Sequence, residues 1–274
     1  MRIDQLMVQR GLASTRSQAQ RLIAAGVQWR LDGAWKRVVK NGDEVPEGAA
    51  LELLDAAEAR YVSRGGLKLE AALRHLGLAV AGLDCLDVGQ STGGFTDCLL
   101  QHGARRVVGV DVGSGQLHPQ LRQDRRVLCL EKVNARNLRA ADVQDACATQ
   151  RGTGAAFDPA AGVATDCAAV FDLVVGDLSF ISQTLVLPAL VPLLSDAGTL
   201  LMLVKPQFEL QPGQVGKGGI VKDAALYPQV QARLRSACGE LGLHVLAWFD
   251  SPIAGGDGNH EFFIAARKLL AGPD

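Results

Sequence analysis

From about residue 83 onward, apolar positions fall into short, nearly unbroken runs of Val, Leu, Ile and Phe. Between them lie longer stretches in which apolar residues recur every three or four positions. The short runs predict strands at residues 83–88, 106–111, 127–130, 171–177, 199–204, 244–249 and 261–266, with helices between most of them. Strands that are apolar on both faces and alternate with helices predict an α/β fold, a mostly parallel sheet covered on both sides. The opening 60 residues read differently. Two short helices, at residues 3–10 and 17–25, end near Gly11 and Gly26, where the chain needs a left-handed residue. Small strand-like runs follow at 27–31 and 50–54, with turn signals at Asp32-Gly33 and Asn41-Gly42. Residues 60–82 read as a linker entering a packed helix, with Leu67, Ala71, Leu73, Leu76 and Leu78 on one side. Residues 140–170 are rich in Ala, Gly, Asp and Thr without a clear period, and read as a surface insertion.

Composition narrows the function classes. The chain has 274 residues with 48% apolar and 21% charged, which is globular, and a net charge of -1, so no overall field draws it to nucleic acid. The charge is local instead. Between Arg2 and Lys40 there are eight Lys or Arg residues against Asp4 and Asp32, and the sign reverses from Asp43 to Glu58. A basic face on a neutral chain is what a phosphate-contacting module presents, and also what an ordinary solvated helix presents. No apolar run approaches a membrane span of about 20 residues, and no signal core follows the N-terminus, so a soluble cytoplasmic protein is expected. The six cysteines form no C-x-x-C pair and read as reduced thiols. The five histidines are scattered, and no metal site is expected.

The sharpest local signal is Asp87-Val88-Gly89-Gln90-Ser91-Thr92-Gly93-Gly94-Phe95-Thr96-Asp97, after the first predicted strand of the sheet and at the start of a helix. Its glycines let backbone approach a ligand. The dinucleotide fingerprint G-x-G-x-x-G is absent, and an acidic residue at the strand end would repel a phosphate while suiting an amino group. The next strand ends in Asp111, placed to accept the two hydroxyls of an adenosine ribose. Asp87 and Asp111 around a glycine turn describe a site for S-adenosylmethionine better than one for NAD.

Four polar residues stand at the ends of predicted elements: Lys68 on the helix before the sheet, Asp177 after the fourth strand, Lys205 after the fifth, and Glu261 at the start of the last. Lys68 alone reads as a surface lysine and Glu261 alone as an exposed strand end; Lys205 and Asp177 signal more, since an apolar strand ending in a charge is unlike a random surface. Together they suit methylation of a ribose 2′-hydroxyl, a poor nucleophile that needs a proton acceptor and a stabilising cation beside a methyl sulfonium. In this reading Lys205 is the base or oxygen-orienting group, Lys68 the second cation, and Asp177 and Glu261 hold the pair. Methylation of an exocyclic base amine usually wants an Asn/Asp-Pro-Pro-aromatic turn, whereas the turn here is Asp177-Leu178-Ser179-Phe180.

The runs S-R-G-G-x-K-L, D-V-G-x-S-T-G-G-F-T-D, G-V-D-V-G-x-G-Q-L, G-D-L-S-F-I, V-K-P-Q-F-E and G-N-H-E-F-F, in this order, resemble the TlyA (hemolysin A) family. The opening stretch from Arg2 to Gly26 resembles the RNA-binding module of small-subunit ribosomal protein S-four. The resemblance implies a Rossmann-like methyltransferase sheet of seven strands, the last antiparallel, behind a small α+β RNA-binding domain. It implies a domain at residues 1–59, a linker and helix at 60–82 and an FtsJ-like catalytic domain at 83–270. The activity implied is cytidine 2′-O-methylation of ribosomal RNA with S-adenosylmethionine, through a tetrad that falls on Lys68, Asp177, Lys205 and Glu261. Cofactor contacts would fall on Asp87, Gly89, Ser91, Thr92, Gly93, Gly94, Phe95, Asp111, Val112 and Asn134, and RNA contacts on Arg2, Arg10, Arg16, Arg21 and Arg64. Gln90 departs from the small residue expected before Ser-Thr-Gly-Gly, and Ser114 from an aromatic. A non-catalytic RNA-binding or assembly factor is the competing class. A pore-forming haemolysin is a further one, disfavoured by the lack of a strongly basic amphipathic helix.

Overall fold

The computed structural model describes residues 1–13, 15–54, 60–152, 169–255 and 258–268. The chain divides into two compact units, Met1–Leu67 and Lys68–Asp274.

The first unit packs two helices on a small sheet. Helix α1 (Ile3–Gln9) buries Ile3, Leu6 and Met7, and α2 (Arg16–Gly26) buries Ala19, Leu22 and Ile23. Thr15 caps α2 by accepting the Gln18 amide at 3.1 Å. Strand β1 (Val27–Arg30) lies between β2 (Lys36–Arg37) and β3 (Ala50–Leu53), antiparallel to both. Asp32 takes the turn after β1 at φ 50°. The two-residue β2 had no pattern to announce it. Gly66 is required by packing, since a Cβ there would come 2.3 Å from the buried Tyr61 ring.

Helix α3 (Arg64–Leu76) leads into the second unit, where Leu69, Ala72 and Leu73 are buried. The seven strands of the large sheet are β4 (Asp84–Val88), β5 (Arg106–Asp111), β6 (Val127–Glu131), β7 (Phe171–Gly176), β8 (Leu194–Val204), β9 (Leu243–Asp250) and β10 (Phe262–Lys268). Their spatial order is β6-β5-β4-β7-β8-β10-β9. The pairs among β4 to β8 are parallel, and β10 is antiparallel to both its neighbours. This is the expected α/β sheet with its last strand reversed. The helices are α4 (Gly94–Gln101), α5 (Pro119–Arg122), α6 (Ala140–Gly152), α7 (Leu187–Leu190), α8 (Pro206–Glu209) and α9 (Tyr227–Glu240). Among the described residues no helix is long and apolar enough to cross a membrane.

Two expectations fail here. The stretch from residue 140 does not begin as an irregular insertion: α6 covers Ala140–Gly152 and buries Val143 and Cys147 in the sheet's core cluster. Its polar and alanine-rich sequence hides that narrow apolar stripe; the rest of the stretch, residues 153–168, lies outside the described residues. Nor are all the cysteines reduced thiols. Cys85, Cys98, Cys129 and Cys238 are free, but Cys147 is disulfide-bonded. Spacing along the chain cannot reveal a pairing that folding creates.

Candidate active site

The sheet order explains why four distant residues meet. Strands β7 and β8 are parallel neighbours, so Asp177 and Lys205, each just past its strand, emerge at the same sheet edge. Strand β10 runs the other way, with Phe262 opposite Val204, so Glu261 arrives beside Lys205 from the start of its strand. The Lys205 amine lies 2.5 Å from Asp177 Oδ1 and donates to Ser179 Oγ at 3.0 Å. The Lys68 amine donates to Glu261 Oε2, and both residues are buried, 6% and 3% exposed. Burial pushes the Glu261 carboxyl above its ordinary range, Lys68 and then Lys205 pull it back, and Asp177 adds to the rise. All four groups therefore act in one electrostatic neighbourhood. A buried ion pair is weak support for stability, because desolvation offsets much of the attraction. A buried pair, Lys68 with Glu261, and a half-buried one, Lys205 with Asp177, along one rim are better explained by chemistry than by folding.

Beside this rim, a cavity of about 510 Å³ opens against the glycine turn. Of the residues expected to hold a cofactor, Gly89, Ser91, Asp111, Val112 and Asn134 line it, as does Asp177. Asp111 is fixed by two backbone amides, Ser91 N and Gly113 N, each at 2.7 Å. Gly89, at φ 84°, cannot be replaced, since a Cβ would fall 2.7 Å from the Asp177 carbonyl oxygen. Gly93, at φ 94°, caps α4 where Leu117 and Leu121 leave no room for a side chain. The other expected residues, Asp87, Thr92, Gly93, Gly94 and Phe95, are not among those lining it. Phe95 is buried, its ring facing Phe263 at 6.5 Å. Asp87 is 1% exposed; its Oδ2 accepts the Thr96 hydroxyl at 2.7 Å, and its Oδ1 is buried without a hydrogen-bond partner among the described residues. Burial raises the Asp87 carboxyl to about 7, against the pull of the Thr96 hydroxyl; Asp177 and Asp111 push it further up. A buried carboxylate short of partners, a turn open only to glycine and an anchored Asp111 fit a ligand with an amino-acid end and a nucleoside end. Ser179 and Phe180, which sequence reasoning did not select, also line this cavity. Phe180 is 90% exposed at φ 62°, an unusual conformation for an aromatic residue.

The structure accounts for Gln90. Its side chain is buried, and its Nε2 donates to Thr96 Oγ1 at 2.9 Å, extending the hydrogen-bond chain that ends on Asp87. It occupies the space above Gly109 of β5, where a Cβ would come 1.9 Å from Gln90 Nε2. Gly109→Ala is expected to destabilise the protein by about 1–3 kcal/mol through overpacking. In a Gln90→Ala background the same change should cost much less. Thermal unfolding of the four proteins of the cycle measures this, and additive losses would show that Gln90 and Gly109 are not matched.

In the first unit, several of the arginines expected to meet RNA also work within the fold. Arg2 and Arg16 both bond the fully buried Asp4, at 3.0 and 2.8 Å, and hold its carboxyl far below the usual range. Arg10 donates to the carbonyls of Ala49 and Glu47, and Arg21 to Ser17 O at 3.2 Å. Arg64 opens α3 and is half-buried.

Comparison with known proteins agrees with this geometry. The FtsJ-like methyltransferase family matches residues 61–268, and the S4 domain family matches residues 1–26. A Mycobacterium tuberculosis protein named 16S/23S rRNA (cytidine-2′-O)-methyltransferase TlyA is 43% identical over 266 residues, 97% of this chain and 89% of that one. Hemolysin A of Brachyspira hyodysenteriae is 34% identical, over 96% of this chain and 98% of its own. A solved structure from Streptococcus thermophilus, described only as a hemolysin candidate, shares 38% identity at a TM-score of 0.70, covering 98% of this chain and 88% of its own. The chain belongs to the TlyA (hemolysin A) family of FtsJ-like methyltransferases.

Proposed function

We propose that this protein transfers a methyl group from S-adenosylmethionine to a ribose 2′-hydroxyl of ribosomal RNA, with cytidine as the target nucleoside. The observation that carries the reading is the pair of ion pairs, Lys68 with Glu261 and Lys205 with Asp177, meeting at the strand ends beside the glycine-turn cavity. When bound, the cofactor supplies an electrophilic methyl group on a sulfonium. Asp111 is positioned for the ribose hydroxyls of its nucleoside, Asn134 and Val112 for the nucleoside's other side, and Asp87 for the ammonium of its amino-acid end. Lys205, held between Asp177 and Ser179, orients the target hydroxyl as an ammonium and, once its own proton has passed to solvent, takes the hydroxyl proton as the neutral amine. Lys68, fixed by Glu261, supplies the second cation beside the developing alkoxide. Direct displacement then depends mainly on alignment.

The first unit supplies the RNA anchor in this reading, through Arg2, Arg10, Arg16, Arg21 and Arg64, and the protein works in the cytoplasm with ribosomal subunits. Arg21→Gln and Arg64→Gln leave Asp4 paired, so they test phosphate contact without unlocking the fold. Each should lower the slope of log affinity against log salt by about 0.7–0.9. An unchanged slope would place the anchor elsewhere. The function itself is tested by incubating the protein with ribosomal subunits and methyl-labelled cofactor and mapping the modified ribose. Label on a base, or binding without label, would sink the reading.

A further inference from the structure

Helix α8 is a single turn that starts immediately after Lys205 and ends at Glu209. Glu209 is 3% exposed, yet it contributes nothing to the cavity wall. Its carboxylate reaches back to the segment that follows β7. Oε2 accepts the Ser182 hydroxyl at 2.6 Å, and Oε1 accepts the Gln183 amide at 2.7 Å. Gln183, also buried, donates its Nε2 to Leu203 O at 2.7 Å, two residues before Lys205. The Glu209 carbonyl is held in turn by Arg233 Nη1 at 2.6 Å. At its other end the segment is tied by Asp177 N, which donates to Val88 O at 3.0 Å.

Residues 177–183 thus form a short bridge fastened at both ends. Between the ties lie Asp177 and Ser179, the two groups on the Lys205 amine, and Phe180 in its left-handed conformation. A loop carrying a bulky residue at positive φ does not hold that shape by itself; its surroundings must impose it. Burial pushes the Glu209 carboxyl above its ordinary range, and the bonds from Gln183 and Ser182 pull it back. A carboxylate placed at that cost beside an apolar core is poorly explained by packing, since an apolar residue would fill the space more cheaply. Its two bonds to the bridge explain it.

We infer that Glu209 is a positioning residue for methyl transfer, acting through the 177–183 bridge to hold Asp177 against Lys205. This rests on the roles given to Lys205 and Asp177 above. Glu209→Ala should lower kcat about 10- to 100-fold, the loss expected of a misplacement near 1 Å, with cofactor affinity changed far less. Glu209→Gln should restore most of the rate. Its amide oxygen can accept from Gln183 N, and its NH2 can donate to a Ser182 hydroxyl that turns round to accept. Because the effect passes through Asp177, Glu209→Ala should cost almost nothing further in an Asp177→Asn background. A general structural role would instead give additive losses, and no rescue by Gln; either result overturns the inference. Should Glu209→Ala fail to fold, Ser182→Ala carries the same test. A kcat loss that disappears in the Asp177→Asn background supports the inference, and a wild-type kcat overturns it. A wild-type rate for Asp177→Asn alone removes the underlying assignment of Asp177, and the inference with it.

Discussion

Lys205→Ala is expected to reduce methyl transfer to ribosomal RNA by a factor of at least about 10²–10⁴, the usual range for a positioned proton acceptor, while cofactor and RNA affinities stay close to wild type. The geometry separates these outcomes. The Lys205 amine contacts Asp177 and Ser179 and is not on the wall of the cavity beside the glycine turn, so its loss leaves Asp111, Val112 and Asn134 in place. Nor does the RNA anchor proposed in the first unit depend on it. Removing the amine opens space for water beside the Asp177 carboxylate, whose side chain is 28% exposed, so the fold should survive. Single-turnover transfer of labelled methyl, with calorimetry for cofactor binding, measures both sides of the claim. A mutant with full rate removes Lys205 from the chemistry. A mutant that no longer binds cofactor would mean that Lys205 shapes the pocket instead of acting on the substrate.

The large sheet was readable because its strands are buried on both faces. Runs such as Arg106–Asp111 and Phe171–Gly176 are apolar almost throughout, and each observed strand lies within a few residues of its expected run. Strand β8 is the exception in length. It begins at Leu194, five residues before the expected start, because Ser195, Asp196 and Gly198 interrupt the apolar run without interrupting the strand. The small β2, just Lys36 and Arg37, is fully exposed and has no buried face to leave a period in the sequence. Helix α6 was missed for a related reason: its apolar stripe is only Val143, Ala146 and Cys147, diluted among polar and small residues.

The candidate site divides along the same physical line. Lys205 and Asp177 stand out because a charged residue at the end of an apolar run is unusual, and the glycine turn because its spacing is. The sequence did not say which of the two carboxylates Lys68 would meet; its pairing with Glu261, 193 residues away, comes from the sheet order and from where α3 packs. Sequence could not distinguish residues that face the cavity from those that support it. Phe95 and Asp87 sit in the same motif as Gly89 and Ser91, yet the former are buried and do not line the cavity, while the latter do. Ser179 and Glu209 carried no signal, because a serine in a turn and a glutamate after Pro-Gln-Phe look like ordinary surface residues until the bridge between β7 and α8 is drawn.

Asp87→Asn is expected to weaken cofactor binding about 10- to 100-fold at pH 8 and, in the same protein, to raise stability. Asp87 is 1% exposed, and burial lifts its carboxyl to about 7, against about 3.9 in an unfolded chain. Between about pH 4 and 7 the folded protein therefore holds a proton that the unfolded chain has released. Stability falls as pH rises through this window and levels off above it, the ionised carboxylate costing up to about 4 kcal/mol. Asparagine still accepts the Thr96 hydroxyl and never ionises. The mutant should match the wild type near pH 4, pull ahead as pH rises, and melt at a higher temperature at pH 8. Cofactor binding should run the opposite way. If the ionised carboxylate recognises the ammonium of the cofactor, wild-type affinity should drop about tenfold for each pH unit below 7, and the asparagine mutant should lose that dependence. Melting curves and binding isotherms from pH 5 to 8 test both halves. Equal cofactor affinity in mutant and wild type at pH 8 would show that Asp87 only shapes the turn, and an unchanged melting temperature would show that the buried charge is compensated within the fold. Both effects together would mean that the protein carries an unfavourable buried charge because that charge recognises the ligand, so function and stability oppose each other at a single residue.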